Sequence, residues 1–365
     1  MIKKRIMLFS ILFFLVLWAL WSLGELTALS VGKTVTCEQQ PTSPGVEDIA
    51  PDHGRGVLYL SADDRRGALA GESVQGKILV VTPPVSIPDP LLILDEVDEP
   101  ISLGFHPHGI DFIEERGRGY LWVVNHRRGI RGTGLIGLDE GPNQSIELYE
   151  VDSLDRPTTL RRKKVFSHST LTSPNDIVAL STSEFYVSID HASTGGLGKL
   201  FEVISRRSWG GVLHYRDGQW EQVNQSTSFA NGIELSADHK FLFLASANGD
   251  GLQVFKRSPS GSLAWLAGYP LSRSIDNLIW DAENDRLWMA SHPRPFRFLL
   301  HAVTPYFASP SEGISAAFDP VTGELTEWRT EVGEGLPISG SSVIVPLKDQ
   351  IWVGSVFEEF ILRCD

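Results

Sequence analysis

Asn175-Asp-Ile-Val-Ala-Leu-Ser-Thr-Ser-Glu-Phe-Tyr-Val-Ser-Ile189 holds, in order, a polar pair, an apolar stretch, a short polar break and an aromatic-rich apolar run. It reads as strand, tight turn, strand. The same arrangement recurs along the chain. Its second runs are Val57–Leu60, Tyr120–Val124, Phe185–Ile189, Phe241–Ala245, Leu287–Ala290 and Ile351–Gly354, roughly 45 to 65 residues apart. Its polar clusters are Glu47-Asp48, His108-Gly109, Asn175-Asp176, Asn231-Gly232, Asp276-Asn277 and Ser341-Ser342. Six such hairpins predict an all-β chain, a six-bladed β-propeller.

The innermost strand of a propeller blade begins near the central channel, so these clusters should meet around one axis. Glu47, His108, Asn175, Asn231 and Asp276 with Asn277 would then face a common point. Carboxylate and amide oxygens in that number suit a hard divalent cation such as calcium. Zinc or copper would want more imidazole or thiolate. A plainer account is that Asn and Asp at strand starts bond their own backbone as turn residues, but five in register favour the cation.

Three of the second runs end in histidine, at His126, His191 and His292. The return strand should bring these toward the same mouth. His108 opens the hairpin that His126 closes, and such a pair can relay a proton from water. Capping a strand or bonding a loop carbonyl is the structural alternative for each ring. The chain has no Gly-x-Ser-x-Gly, no His-Glu-x-x-His, no P-loop, and no Gly-x-Gly-x-x-Gly between a strand and a helix.

Composition narrows the class. A net charge of −13 over 365 residues argues against nucleic acid, which demands a basic face. The N-terminus differs in kind: Lys3-Lys4-Arg5 precede an uncharged apolar stretch from Ile6 to Leu23. This is a signal peptide or a membrane anchor, with the N-terminus cytoplasmic and the rest extracytoplasmic, lumenal or secreted. Its length and the poor cleavage site at Leu26–Ser30 favour an apolar helix retained as an anchor. Residues 1–30 are thus assigned to this segment and 31–365 to the propeller. Cys37 and Cys364 either cross-link the two ends of the ring or remain as two buried thiols; export favours the cross-link. Asn143-Gln-Ser145 and Asn224-Gln-Ser226 are glycosylation sequons, a weak signal of export.

Several segments together carry a family resemblance: Gly45–Asp48, Phe105-His-Pro-His-Gly-Ile110, Val123–His126, Asn175–Val178, Phe229–Ile233, Asp276-Asn277, Ser291–Pro293 and Gly340–Ser342. From Cys37 to Cys364 the chain resembles the paraoxonases, calcium-dependent lactonases and arylesterases with six blades. The resemblance implies two calcium ions. A catalytic one would be held by Glu47, Asn175, Asn231, Asp276 and Asn277. A structural one would be held by Asp48, Asp176 and the backbone carbonyl of Ile110. It also implies a histidine dyad at His108 and His126, with Asp276 a rival base, a disulfide between Cys37 and Cys364, and a retained N-terminal segment. Serine at 291 departs from the family's cysteine. The glycine-rich stretch from Ala192 to Gly198 stands where the family has an amphipathic active-site helix. The stretch from Pro293 to His301, on to Pro310, reads as a further loop at the mouth.

The expected activity is calcium-dependent hydrolysis of a small-molecule lactone or aryl ester. One alternative resembles the gluconolactonase and strictosidine-synthase propellers, which share the metal set without the histidine pair. The other is a non-catalytic, membrane-tethered binding propeller that keeps calcium for stability.

Overall fold

The computed structural model describes residues 25, 28–82, 87–97, 104–127, 144–193, 198, 201–202, 205, 209–247, 251–271 and 273–365. Their strands form six sheets. Blade 1 begins with Val46–Asp52 and Val57–Ala62, blade 2 with Pro107–Glu115 and Arg118–Asn125, blade 3 with Pro174–Ser181 and Glu184–Ile189. Blade 4 begins with Ala230–Leu235 and Phe241–Ser246, blade 5 with Ser274–Asp281 and Arg286–His292, blade 6 with Ser341–Leu347 and Gln350–Ser355. The expected hairpins are therefore the inner two strands of each blade, and further strands complete each sheet outward, antiparallel except for Leu92–Asp95, which pairs parallel to Thr159–Phe166 at the edge of blade 2.

These runs become strands because β-branched and aromatic residues pack well on a pleated surface. They are buried on both faces, since each blade is sandwiched between two neighbours. Trp122 of blade 2 lies 4.8 Å, centroid to centroid, from Phe185 of blade 3. Phe243 of blade 4 stacks at 5.8 Å on Trp280 of blade 5. The apolar clusters follow the blade interfaces around the ring.

Cys37 does more than precede the first blade. Cys37–Pro41 is itself the outer strand of blade 6, antiparallel to Phe360–Cys364, with Cys37 opposite Cys364. The two cysteines are disulfide-bonded across a separation of 327 residues. The last blade is thus built from both ends of the chain, which closes the ring by hydrogen bonds as well as by the covalent link.

Two helices flank the mouth. Helix α1, Arg65–Leu69, follows blade 1, with Asp64 accepting from the Gly67 N–H at its start. Helix α2, Pro295–Val303, replaces the loop expected there. Proline at the first helical position is pre-set for a helix and lacks the N–H that would go unpaired. The Glu25 carboxylate accepts from the next two amides, Phe296 N at 2.5 Å and Arg297 N at 3.3 Å. Sequence reading missed the helix because its cap arrives from a distant residue.

The apolar segment from Ile6 to Leu23 and the sequon asparagine Asn143 lie outside the described residues. Among the described residues, no helix is long and apolar enough to cross a membrane.

Candidate active site at the channel mouth

In each of the six inner hairpins the pairing register shifts at the polar cluster: across Glu47, His108-Gly109, Asn175-Asp176, Asn231-Gly232, Asp276-Asn277 and Ser342. A β-bulge bends a strand and re-aims its side chains. Two successive residues can then depart from simple alternation. Close approach between blades makes the second residue of two clusters a glycine. A Cβ on Gly109 would lie 2.5 Å from Asp176 Cα, and one on Gly232 would lie 2.5 Å from the Asp276 carbonyl oxygen.

Glu47 sits at the centre of this arrangement. Its carboxylate accepts from Nδ1 of His108 at 2.8 Å and from Nδ2 of Asn277 at 3.1 Å. Its backbone carbonyl accepts from Asn277 Nδ2 at 3.0 Å and from the Ser342 hydroxyl at 2.6 Å. Burial would raise the Glu47 carboxyl, but the His108 ring and the Arg65 guanidinium outweigh it and hold it below its ordinary value. Asp276 pairs with Nε2 of His292 at 2.8 Å. Burial raises its carboxyl, and the His292 hydrogen bond opposes that only in part. His292 was visible in sequence at the end of a strand; its link to Asp276 was not.

The side-chain oxygens of Asn175, Asn231 and Asn277 are buried and make no hydrogen bond among the described residues. A buried carbonyl left unsatisfied costs about 1–3 kcal/mol. Three of them beside Glu47 and Asp276 fit a hard cation, for which neutral amide oxygens are ordinary ligands. Among the described residues no three His, Cys, Asp or Glu side chains group as a metal site. The expected set is of another kind, with three of its five residues asparagine.

Below it, Asp48 accepts from its own strand at Ile49 N (2.8 Å) and from blade 2 at Ile110 N (2.8 Å). Asp176 repeats the pattern with Ile177 N (2.8 Å) and Ile233 N of blade 4 (2.9 Å). Burial drives both carboxyls well above the usual range; the Glu47 charge adds to the effect on Asp48, and the Asp48 charge to that on Asp176.

Two further acids were not read from the sequence. Asp111 accepts from Ala179 N of blade 3 at 2.7 Å, and Glu234 from Leu235 N at 2.7 Å and from Trp280 N of blade 5 at 3.1 Å. Each bridges one inner strand to the next. Burial pushes Asp111 up to about 7 and Glu234 up to about 8. The available signal was a lone acid inside an apolar stretch, Ile110-Asp-Phe112 and Ile233-Glu-Leu235. With Asp48 and Asp176 they line a cavity of about 180 Å3 in the channel.

The predicted histidine pair is brought together: the His108 and His126 rings lie 5.0 Å apart, edge to face at 61°. His126 is buried, and its Nδ1 lies 3.1 Å from Oε1 of Gln144. His191, the third strand-end histidine, instead pairs with Asp190 at 2.9 Å and packs on Phe229 at 4.7 Å. Phe229 adopts a φ of +51° just before the Asn231 cluster. Helix α2 places Phe298 4.1 Å from His292 and 5.6 Å from Phe357, forming an aromatic wall beside Asp276.

The family model described as Arylesterase matches residues 98–365. This chain belongs to the arylesterase family. Its similar relatives include mouse "Serum paraoxonase/lactonase 3", 27% identical over 71% of this chain and 68% of that one. Rat "Serum paraoxonase/arylesterase 2" is 25% identical over 88% of this chain and 80% of its own. Among solved structures, a gluconolactonase from Xanthomonas campestris superposes with a TM-score of 0.51 at 13% identity, covering 90% of this chain and 89% of that one. A periplasmic gluconolactonase from Pseudomonas aeruginosa gives 0.50 at 13%, covering 87% and 89%. At that identity the likeness is one of fold. The family model covers the inner strands of blades 2 to 6, and with them His108, His126, the three asparagines and Asp276.

Proposed function

We propose that this arylesterase-family protein is a calcium-dependent hydrolase of lactones and aryl esters. The observation that carries this reading is the set of three unpaired amide oxygens, with Glu47 and Asp276, beside two histidines in ring contact. Glu47, Asn175, Asn231, Asp276 and Asn277 would hold a catalytic calcium. Asp48, Asp176 and the Ile110 carbonyl would hold a second, where two raised carboxyls would ionise against the cation. Bound at the mouth, calcium supplies polarisation of a carbonyl oxygen and stabilises charge that develops there.

The chain's own groups manage the proton. The Glu47 carboxylate can only accept, so His108 carries its hydrogen on Nδ1 and keeps a lone pair on Nε2. Water gives a proton to that nitrogen as its oxygen attacks the substrate carbonyl. The adjoining His126 ring steadies the charge on His108 and offers a second station for the proton. Return of the proton to the leaving alkoxide or phenoxide completes hydrolysis. Phe298 and Phe357 would exclude water from the far side of the substrate. The proposed setting is extracytoplasmic, tethered by the N-terminal apolar segment; the disulfide fits an oxidising compartment.

The test is hydrolysis of a lactone panel and phenyl acetate, with and without a calcium chelator. Chelator-sensitive turnover that falls at least about a hundredfold in His108→Gln and His126→Gln supports the reading. Asp276→Ala should lose activity with the fold retained in excess calcium, whereas Asp48→Ala should lower Tm. Failure of folded, calcium-loaded protein to hydrolyse any of these substrates would leave the binding propeller instead.

A further inference from the structure

We infer that Glu25, which stands between the N-terminal apolar stretch and the propeller, is a positioning residue for the aromatic wall: by capping helix α2 it sets where Phe298 meets His292. The consequence for turnover rests on the hydrolase reading. Helix α2 has little apolar burial to hold it. Of its nine residues only His301 is buried, while Phe296, Leu299 and Val303 are 45%, 40% and 55% exposed. A helix of that length is marginal in water unless packing supports it, so its ends need other anchors. The C-terminal end has them. His301 Nδ1 lies 2.9 Å from the Phe307 carbonyl oxygen and Nε2 lies 2.9 Å from the Glu358 carboxylate. Arg66 of helix α1 donates to the His301 carbonyl at 3.0 Å and to the Phe357 carbonyl at 3.2 Å.

The N-terminal end depends on Glu25. Arg294, at the capping position, makes no side-chain cap bond, and Pro295 has no N–H to satisfy. The Phe298 N–H bonds the Arg294 carbonyl at 3.1 Å. The two N–H groups left over are those of Phe296 and Arg297, and the Glu25 carboxylate accepts from both. A negative group there also suits the positive end of the helix dipole. Glu25 is itself only 7% exposed. The chain after it is soon fastened to the ring: the Ser30 N–H bonds the Glu312 carboxylate at 2.7 Å, and the Ser30 carbonyl accepts from Glu334 N–H at 2.9 Å. Phe298 follows the capped pair in the same turn, with its ring 4.1 Å from His292, which in turn holds Asp276 at 2.8 Å. Loss of the cap would fray the turn that carries this ring. Cleavage within Leu26–Ser30 would take Glu25 away with the leader, so a retained N-terminal segment serves the site as well as the tether.

The experiment compares wild type, Glu25→Ala and Glu25→Gln as full chains in detergent with calcium. It reads hydrogen exchange of residues 295–303 by mass spectrometry, the ring NMR signal of His292 identified with His292→Gln, Tm, and kcat and KM for phenyl acetate. In Glu25→Ala the helix should exchange about tenfold faster and the His292 signal should shift. KM should rise about threefold or more with kcat little changed, as expected when a binding contact is displaced. Tm should barely move, because the helix buries little. Glu25→Gln keeps an oxygen that can accept from both N–H groups, so it should recover most of the protection and most of KM. Wild-type exchange in Glu25→Ala would overturn the cap. Faster exchange with an unmoved His292 signal and an unchanged KM would overturn the positioning role. A Glu25→Gln variant that matches Glu25→Ala in exchange and KM would also overturn the proposal, as would a Glu25→Ala variant whose only change is a lower Tm. If wild type turns over no substrate while Glu25→Ala speeds exchange and shifts the His292 signal, positioning stands and the hydrolase reading falls.

Discussion

Glu47 shows how much of the site's order is carried by single residues. One buried carboxylate orients His108, and its residue accepts from Asn277 and Ser342 on two other blades. The residue that makes such contacts possible is sometimes the one with no side chain. Gly109 follows His108 because blade 3 comes so near that a Cβ would collide with Asp176 Cα and the Asn175 carbonyl. Those obstacles are backbone and cannot swing away. Gly109→Ala should therefore cost about 1–3 kcal/mol of stability and displace Asn175 and Asp176 together. Chemical denaturation reads the first effect, and weakened calcium binding in calorimetry reads the second. Unchanged values for both would mean that the blades separate freely at this point.

At the level of the element, the inner strands are joined by carboxylates that cross from one blade to the next. Asp48, Asp111, Asp176 and Glu234 tie blade 1 to 2, 2 to 3, 3 to 4 and 4 to 5 through backbone N–H groups. Placing acids here has a cost, because burial favours the protonated form. Glu234, outside the proposed ligand sets, tests this cleanly. Its carboxyl is raised to about 8, so from its ordinary value up to that pH the folded protein holds a proton that the unfolded chain has released. Its contribution to stability is therefore greatest in acid and declines as pH rises through that window. In chelated protein, Glu234→Gln keeps an acceptor for Leu235 and Trp280 and removes the charge. Its Tm advantage over wild type should be larger at about pH 9 than at about pH 5. Equal shifts at both pH values would place Glu234 in an ordinary, solvated environment. The bulges belong to this scale too. All six inner hairpins were legible from the alternation of polar breaks and apolar runs, but the register shift that turns each cluster into the channel follows from pairing with the second strand.

For the whole molecule the question is how a ring stays closed. Blade 6 takes its outer strand from Cys37–Pro41, and the disulfide to Cys364 makes that exchange covalent. Cys37→Ser with Cys364→Ser should lower unfolding free energy by about 2–5 kcal/mol. On the proposed calcium binding, excess calcium should restore part of the lost Tm, since the proposed ligands come from five blades and would bind only the closed ring. Thermal melts of the oxidised, reduced and double-serine proteins would show whether the seam limits stability. By itself the sequence determined the number of blades, the strand pairs nearest the channel, the polar residues at their starts and the cysteines at the two ends. These are properties of local order: a strand and its turn are written in consecutive residues, and a repeat is visible as its own recurrence. Tertiary structure alone decided that Asp276 meets His292, that Gln144 meets His126, that Asp111 and Glu234 join the channel, and that Glu25 caps helix α2. Each of those contacts depends on distance across a closed ring or between neighbouring strands. Only packing sets that distance, because residues far apart in the chain become neighbours when the blades bury their apolar faces against one another.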